Sequence, residues 1–485
     1  RLLADLATAA ALIPGDAWVA GQRVRYLVEA GDFEEARGAA DRCRADRWWC
    51  EALAGYTAHY AGNPAAADAA YERALEAMPA DVKREWTDLR VILDGAALRH
   101  YRQLGEAERG AWEERFWRLT DPLPAMPGND VRSEHLSRNV AARMQEGAET
   151  TEDLSWGDDL REILIRFGRP SGHETVRTMY PPSLGEGPSL ISHFPEAETD
   201  LLPPPSLLTD SFAPAAGAWD DERRRPRASY VIPRGEERLR WILPFEHQVA
   251  VFRDGDSATV VAAYQLPTDS FPREARVDAS LSAWRDLDVP PPFARRPDAG
   301  LRAVLAARAP AAPVLITLEA VLEEERRAAR VRFGRDLRPL VPGVLAASDL
   351  LLFDPPTDSL PETREGAMAR ARGSDRVRPG ERVGVYWELY GLLPGRVETL
   401  EVSLRLVDAN PGWLRRMAER VGVVREEQPI RLVWGEEAAA RHVLRRSLAI
   451  EVPGDLRAGS FALELAVSGT GREPLVTRRV LRVEP

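Results

Sequence analysis

The spacing of apolar positions changes along the chain, from a helical period to the alternation that is typical of strands. Near the end of the N-terminal part, Leu89, Ile92, Leu93 and Leu98 recur close to the 3.6-residue period of an amphipathic helix. A further helix is predicted over 107–118, because its aromatic residues fall on one apolar stripe. We therefore expect helices throughout the N-terminal part.

Turn residues mark the ends of the later helices. Asp121 and Pro122 stop the helix that carries the aromatic stripe, because proline cannot continue a helix. A Pro-rich turn follows, after which Asp130 or Ser133 is predicted to cap a new helix. That helix should run to about Met144.

Strand patterns begin with the short apolar run 162–167, which residues 168–170 would end. In the C-terminal half, 249–252 and 258–261 flank the turn Arg253-Asp254-Gly255-Asp256, a strong hairpin signal. Further strands are predicted at 277–284, 303–305, 314–318, 328–333, 383–390, 400–406, 430–434, 444–450, 461–467 and 476–483. A short helix is predicted over 410–421.

One of these strands has a particularly regular pattern. If the chain is extended at 386–390, successive side chains point to opposite faces of the sheet. Trp387 and Leu389 would then face one side, and Tyr386, Glu388 and Tyr390 the other. The pattern predicts a carboxylate and two tyrosines on a common face.

Composition indicates a globular protein that does not bind nucleic acid. The chain has 485 residues, which is enough for about three folded domains. It is 44% hydrophobic and 29% charged, which is the composition of a globular protein. The net charge is −11, and acids and arginines are interleaved, so a concentrated basic face is missing. The run 223–225 of arginines adjoins the acidic run 220–222, and we interpret it as a solvated loop. No run approaches the roughly 20 apolar residues of a transmembrane segment.

The start of the sequence and its two cysteines favour an extracytoplasmic protein, whether periplasmic, surface-bound or secreted. The chain begins at Arg1 rather than at a methionine, so either the sequence has been trimmed or a leader has been removed, most simply a secretory signal peptide. Cys43 and Cys50 are close enough in sequence for one disulfide, which suits an oxidising compartment. The alternative is a pair of buried thiols, and the spacing without nearby histidines makes a poor zinc site.

The first residues resemble tetratricopeptide repeats. Gly55, Gly62, Tyr71, Ala74 and Pro79 match the pattern of small residues at a helix crossing, an aromatic that fills the gap and a closing proline. A shift of 31 residues gives further correspondences: Gly31 with Gly62, Ala36 with Ala67, Ala40 with Tyr71 and Cys43 with Ala74. The resemblance implies about two repeats with a face for a partner or for the next domain.

The stretch 116–170 resembles the GWxTD domain, which is named for Gly-Trp-x-Thr-Asp. The resemblance covers about 85–180 and rests on this series: Phe116, Trp117, Asp121, Pro122, Asn129, Glu134, Arg143, Trp156, Asp159, Gly168 and Pro170. In that family the domain often follows helical repeats and precedes β-rich regions in predicted secreted proteins. The resemblance therefore implies an envelope or secreted setting. Two motif positions differ, since Ser155 stands for the glycine and Asp158 for the threonine.

The candidate catalytic residues are Asp158 and Asp159, together with Glu134 and Arg143. Two carboxylates near an arginine can form an acid/base pair with separated pKa values. A simpler interpretation gives the same residues structural roles. In that case Asp159 accepts backbone N–H groups in a turn, Trp156 fills a core, and Arg143 pairs with Glu134 or an aspartate.

Other signatures of chemistry are missing from the sequence. None of the seven histidines belongs to a zinc-binding pattern, and no nucleophile elbow or phosphate-binding loop occurs. We expect no metal and no cofactor.

These patterns together predict a multidomain α plus β protein. The expected order is tetratricopeptide-like helical repeats (1–84), a small GWxTD-like α+β domain (85–180), a Pro-rich extended segment (181–240), an antiparallel β-sandwich (241–354), a linker (355–379) and a C-terminal antiparallel β-sandwich (380–485).

The expected function is non-catalytic. The protein would act as an extracytoplasmic scaffold for protein–protein interaction, or as part of a cell-envelope or extracellular assembly formed with a partner or with itself. One alternative is an envelope hydrolase in which Asp158 and Asp159 are the acid and base. Another is a protein that binds carbohydrate through a β-sandwich and its aromatic residues.

Overall fold

The structure is a computed structural model that describes residues 1–93, 95–146, 156–176, 189–194, 203, 205–209, 241–393, 397–409, 430–438 and 443–485. The chain divides into two compact units. Among the described residues, the helical unit comprises those of 1–209, Trp241 and 286–290, and the β-rich unit comprises 242–285 and those of 291–485. The protein is therefore of mixed class, with helices in its N-terminal region and β-sheets in its C-terminal region.

The helical unit consists of successive helices and one small hairpin. Its helices are α1 (Leu2–Leu12), α2 (Ala17–Glu29), α3 (Phe33–Asp41), α4 (Arg47–Tyr60), α5 (Pro64–Ala77), α6 (Ala80–Thr87), α7 (Gly95–Gln103), α8 (Glu106–Thr120), α9 (Asp130–Met144), α10 (Asp158–Phe167) and α11 (Pro205–Thr209), with a 3₁₀ turn at Leu89–Val91. Strands β1 (Gly172–Val176) and β2 (Ser189–His193) pair in antiparallel fashion. None of the described helices has the length and apolar character that a membrane crossing requires.

The turns of the first two helical hairpins are built alike. Gly31 and Gly62 both have positive φ, 77° and 73°, which glycine adopts without steric cost. The next residue in each turn, Asp32 or Asn63, caps the following helix through its side chain. The shift of 31 residues thus relates equivalent positions in α2–α3 and α4–α5.

The crossing of α4 and α5 depends on a small residue. A Cβ atom at Gly55 would lie 2.8 Å from the ring of Tyr71, which is fully buried. The glycine therefore lets the aromatic side chain fill the space between the two helices. The core around this crossing also includes Trp48, Trp49 and Leu53.

Two predictions near the end of this unit were wrong. The run 162–167 is not a strand but the last part of α10, because an apolar run this short does not distinguish the two. Asp158 and Asp159 in the first turn favour a helix. The cap of α9 is Asn129 and not Asp130 or Ser133.

The β-rich unit contains strands and one short helix, α12 (Arg364–Met368). The strands are β3 (Trp241–Leu243), β4 (Glu246–Asp254), β5 (Ser257–Gln265), β6 (Val277–Trp284), β7 (Phe293–Ala299), β8 (Arg302–Pro310), β9 (Pro313–Leu322), β10 (Arg327–Asp336), β11 (Ala346–Ala347), β12 (Leu351–Phe353), β13 (Arg376–Val377), β14 (Arg382–Tyr390), β15 (Glu398–Asp408), β16 (Ile430–Ala438), β17 (Val443–Glu451), β18 (Gly459–Gly469) and β19 (Leu475–Val483). The β4–β5 hairpin confirms the hairpin that was predicted around Gly255.

The strands form four sheets in two pairs. The first pair combines the sheet β3-β10-β9-β6-β7 with β4-β5-β8, and one core contains buried side chains from both. In the second pair, β14 hydrogen-bonds to β11 and β12 along one edge and to β17 along the other. Its partner sheet is β13-β19-β18-β15-β16, and these two sheets also share a core.

The alternation predicted for 386–390 is confirmed. Trp387 and Leu389 belong to the core of the second sheet pair. Tyr386, on the opposite face, packs against Phe252 and Leu351 in a separate cluster.

Some predictions lie outside the described residues, and one segment differs from expectation. The short helix at 410–421 and most of the Pro-rich segment 181–240 are not described, and neither is Ser155. The segment 355–379, expected to be a linker, contains α12 and β13. Arg364 in this segment donates to Asp254 on β4 and to Glu388 on β14, and Arg372 donates to Glu381.

Candidate functional site

The residues of the GWxTD-like series tie neighbouring helices together. Phe116 and Trp117 are buried on α8, and Pro122 is buried in the turn that follows. The side chain of Asn129 donates to the carbonyl oxygen of Trp117 at 2.6 Å and accepts from the backbone N–H groups that begin α9. Asp121 accepts from the backbone N–H of Leu123 at 2.9 Å. These contacts fix the end of α8 against the start of α9.

Glu134 lies at the centre of a buried ionic cluster. Its Oε2 is 2.6 Å from Nε2 of His59 on α4, and its Oε1 accepts from Nε of Arg138 at 2.8 Å. All three side chains are at most 5% exposed. Arg138 also donates to the carbonyl oxygens of Ile165 and Arg166, where a positive charge stabilises the C-terminal end of α10. The cluster therefore joins α4, α9 and α10.

The same cluster contains the three groups of a serine-dependent catalytic triad. Nδ1 of His59 lies 2.9 Å from Oγ of Ser133, while its Nε2 contacts Glu134. A base held between a hydroxyl and a carboxylate can activate a nucleophile. However, Ser133 is fully buried and also donates to the carbonyl oxygen of Asp130, so a substrate has no access to the hydroxyl. This arrangement holds helices together.

Of the candidate catalytic residues, Asp158, Asp159 and Arg143 do not join the cluster of Glu134. Asp158 and Asp159 are exposed in the first turn of α10, whereas Arg138 contacts the opposite end of that helix. Arg143 pairs with Glu146 at 3.4 Å and lies 5.3 Å above the ring of Trp48. The interpretation that Arg143 pairs with Glu134 or an aspartate is therefore wrong.

The remaining motif residues have structural surroundings. Trp156 is half-buried and packs against the core of the helical unit. Gly168 ends α10 beside the guanidinium of Arg138, and Pro170 follows it half-buried. Within the described part of the chain, the side chain of Asp159 accepts no backbone hydrogen bond. Its favourable interaction is with the N-terminal end of α10.

Cys43 and Cys50 form a disulfide, with their Cα atoms 5.6 Å apart. It joins the residues after α3 to the first turn of α4. The pairing that the sequence allowed is thus present, and it closes the turn between the first and second hairpins.

A second buried carboxylate, Glu388, lies in the β-rich unit. The hydroxyls of Tyr386 and Tyr390 donate to its two oxygens, each at 2.8 Å. Arg364 donates to both oxygens as well, at 3.1 and 2.8 Å, and pairs with Asp254 through the same guanidinium. Burial opposes ionisation of Glu388, but the hydrogen bonds and charge of Arg364 outweigh it, and its pKa lies below the ordinary value. The carboxylate is thus kept charged inside the protein.

An open cleft of the β-rich unit is formed by both sheet pairs. It has a volume of about 990 Å³ and is lined by charged and polar groups from β4, β5, β8 and the loop 372–381, which contains β13. We call it the arginine cleft because four arginines line it: Arg302, Arg372, Arg376 and Arg378.

The loop that lines the arginine cleft is held in place by backbone contacts. A Cβ atom at Gly373 would lie 2.2 Å from the carbonyl oxygen of Tyr264, so only glycine permits this approach. The amide of Gln248 bonds to both backbone groups of Leu352 and to the carbonyl oxygen of Arg372. No local sequence pattern marks these residues, because their role depends on contacts between distant segments.

Two of the four arginines are used in ion pairs on the cleft wall. Arg376 pairs with Glu246 at 2.6 Å and also with Glu484. Arg372 pairs with Glu381 at 2.6 Å. Burial disfavours the charged form of Glu246, but the hydrogen bonds from Arg376 and Ser374 prevail and lower its pKa.

Arg302 and Arg378 remain exposed in the arginine cleft. Among the residues that the structure describes, neither guanidinium forms an ion pair. Metal binding has no comparable candidate, since no group of three or more histidine, cysteine or acidic side chains in the described ranges could hold an ion.

Comparison with known proteins identifies no family for this chain. No protein-family model matches it, and no curated protein matches it by sequence. Structural similarity is found to red sea bream transglutaminase, at 10% identity and a TM-score of 0.17, over 53% of this chain and 35% of that one. It is also found to the ICAM-5 D1–D4 ectodomain fragment, at 16% identity and a TM-score of 0.16, over 49% and 53%. The chain thus spans about a third and about half of these two proteins, and scores this low carry no argument about fold or function.

Proposed function

We propose that the protein is a non-catalytic binding or structural protein that acts outside the cytoplasm. There it holds a protein partner or takes part in an assembly. The observation that carries the proposal is the placement of the candidate catalytic groups. Glu134 has both oxygens engaged in a buried cluster, whereas Asp158 and Asp159 are exposed at the start of α10. An acid/base pair needs these groups at one site, and a scaffold does not.

The disulfide and the arginine cleft add support. A disulfide between Cys43 and Cys50 is typical of proteins that fold in an oxidising compartment. The arginine cleft gives the protein a preformed concave surface with charged groups, which is what recognition requires.

The finer architecture is part of the same proposal. We take α2–α3 and α4–α5 as tetratricopeptide-like repeats, supported by the equivalent turns at Gly31 and Gly62. The helices that Asn129 and Arg138 tie together form a GWxTD-like domain. The two sheet pairs form two β-sandwiches, supported by the core that each pair shares.

The proposal is tested by purifying the native protein from its source under non-reducing conditions. We expect an oxidised Cys43–Cys50 pair and either a partner at constant stoichiometry or a defined homo-oligomer, read by light scattering and quantitative mass spectrometry. A monomer with free thiols and no partner would contradict the proposal. So would a substrate whose turnover is lost in a folded Asp159→Asn variant, since that result supports the hydrolase.

A further inference from the structure

Arginines and carboxylates line the arginine cleft in equal number, but not every one of them is paired with another. Arg376 bridges Glu246 and Glu484, and Arg372 is paired with Glu381. These ion pairs leave Arg302 and Arg378 exposed, without an ion pair among the described residues. Arg302 begins β8 in the first sheet pair, and Arg378 follows β13 in the second. Two different parts of the unit therefore each present a free guanidinium to the same space.

The balance of charge in the lining selects the kind of anion. Four arginines line the cleft, and so do four carboxylates: Glu246, Asp269, Glu381 and Glu484. A polyanion such as a nucleic acid or a sulfated polysaccharide would bring its charges close to these carboxylates. Separate carboxylates can instead each meet one free arginine. A planar guanidinium donates two parallel hydrogen bonds to a carboxylate, which gives such contacts both strength and orientation.

The backbone of the cleft wall is not available for strand addition. Strand β13 lies at the edge of its sheet, but its backbone groups are already bonded. The N–H of Arg376 donates to the hydroxyl of Ser374, and the carbonyl oxygen of Arg376 accepts from the side chain of Arg372. The N–H of Arg378 is bonded to Glu381 at 2.7 Å. A ligand must therefore be recognised by side chains.

The lining also argues against a sugar. No aromatic residue is among the described residues that line the cleft. Sugar sites usually offer such a ring as an apolar platform, so the cleft lacks an expected component. A volume of about 990 Å³ is at the upper end of the usual range for ligand pockets, roughly 300–1,000 Å³, and has room for a short extended peptide.

We propose that the arginine cleft binds an extended acidic segment of a protein partner, with aspartate or glutamate side chains on Arg302 and Arg378. This inference rests on the proposed binding function. The contacts of Gly373 with Tyr264 and of Arg372 with Gln248 hold the loop 372–381 in place before the partner binds. Such preorganisation lowers the entropic cost of binding.

The test uses the full chain and a fluorescent peptide with capped ends, in which two glutamates are separated by uncharged residues, and binding is followed by fluorescence anisotropy. The variant is Arg302→Gln with Arg378→Gln. A matched control, Arg84→Gln with Arg102→Gln, removes the same charge from two exposed arginines that line a groove of the helical unit. Thermal melts confirm that both variants are folded.

We expect the cleft variant to bind the peptide roughly a hundredfold more weakly, about tenfold for each arginine, and the control to bind like the parent. The same peptide with glutamine in place of both glutamates should not bind, and raised salt should weaken binding of the glutamate peptide. Tighter binding of heparin or of inorganic phosphate than of the glutamate peptide, with the same loss in the cleft variant, would overturn the peptide assignment. Equal losses in both variants would overturn the site.

The native partner separates this inference from the proposed function. If a partner co-purifies and binds the cleft variant as well as the parent, the cleft assignment fails while the binding function stands. If no partner and no assembly are found, the proposed function fails, and peptide binding alone cannot rescue it.

Discussion

Glu134 and Glu388 are both buried carboxylates that pair with an arginine, yet they are assembled differently. Glu388 accepts hydrogen bonds from the hydroxyls of Tyr386 and Tyr390, which lie two residues before and after it on the same strand face. Glu134 instead contacts His59, which lies 75 residues earlier in the chain. A strand brings part of such a site together by its own alternation, whereas a helical unit must bring it together by packing.

The two clusters also differ in what their arginines do beyond the carboxylate. Arg138 extends to two carbonyl oxygens at the end of α10. Arg364 extends to a second carboxylate, Asp254, and its guanidinium lies 4.9 Å above the ring of Phe252. Removing Arg364 would thus leave two carboxylates without their main partner, and removing Glu134 would leave an arginine that still has acceptors.

The largest effect is expected for Arg364→Ala. Loss of one member of a buried ion pair costs about 3–5 kcal/mol, and this variant should lie near the upper end because Glu388 stays buried. The measurement is the free energy of unfolding in urea, followed by tryptophan fluorescence.

Arg338→Ala is the matched control, since Arg338 pairs with Asp336 but its side chain is 84% exposed. We expect that change to cost less than about 1 kcal/mol. If both substitutions cost the same, the Glu388 cluster contributes nothing beyond a surface pair.

Glu134→Ala should destabilise the helical unit by about 3 kcal/mol, near the lower end of the range for buried pairs. Arg138 retains the carbonyl oxygens of Ile165 and Arg166, which moderates the loss. Urea unfolding followed by far-ultraviolet circular dichroism reports on the helices.

The control here is Glu162→Ala on α10, which removes a half-exposed carboxylate from a pair with Arg166 four residues later. It should cost a few tenths of a kcal/mol, roughly 0.3–0.5. A larger loss for Glu134→Ala than for Arg364→Ala would reverse the ranking of the two clusters.

Acid pH should weaken the β-rich unit through Glu388. Its pKa in the folded protein is lowered, so its contribution is complete above the unfolded value of about 4.3 and is lost as pH falls through the folded value. We expect the free energy of unfolding to fall more steeply on acidification in the parent than in Glu388→Gln. Parallel pH profiles for the two chains would show that Glu388 does not titrate in this way.

The sequence predicted these sites to different depths, and for physical reasons. The period of two placed Tyr386, Glu388 and Tyr390 on one face, and the structure confirms it. Arg364 could not be foreseen, because it comes from a segment that was expected to be a linker. His59 could not be foreseen either, since the contact of α4 with α9 leaves no local pattern.

The strand that was predicted at 162–167 is part of α10 because the apolar run is too short to distinguish a strand from a helix. A run of six apolar and charged residues satisfies a strand and a helix equally, and only the longer window from Asp158 to Gly168 favours the helix. The arginine cleft was missed for another reason. Its lining comes from segments far apart in sequence, and single arginines among many carry no signal.

The smallest effect is expected for Asp159→Asn combined with Asp158→Asn. Both side chains are exposed, so the change should alter the free energy of unfolding by no more than about 0.5 kcal/mol. The variant loses the interaction of two carboxylates with the dipole of α10. Salt should diminish the resulting difference in free energy of unfolding between the variant and the parent. Because the fold is preserved, this variant isolates chemistry from stability. Unchanged partner binding would leave the scaffold proposal intact, whereas a loss of turnover on any substrate, in a protein that melts like its parent, would give these two aspartates a catalytic role.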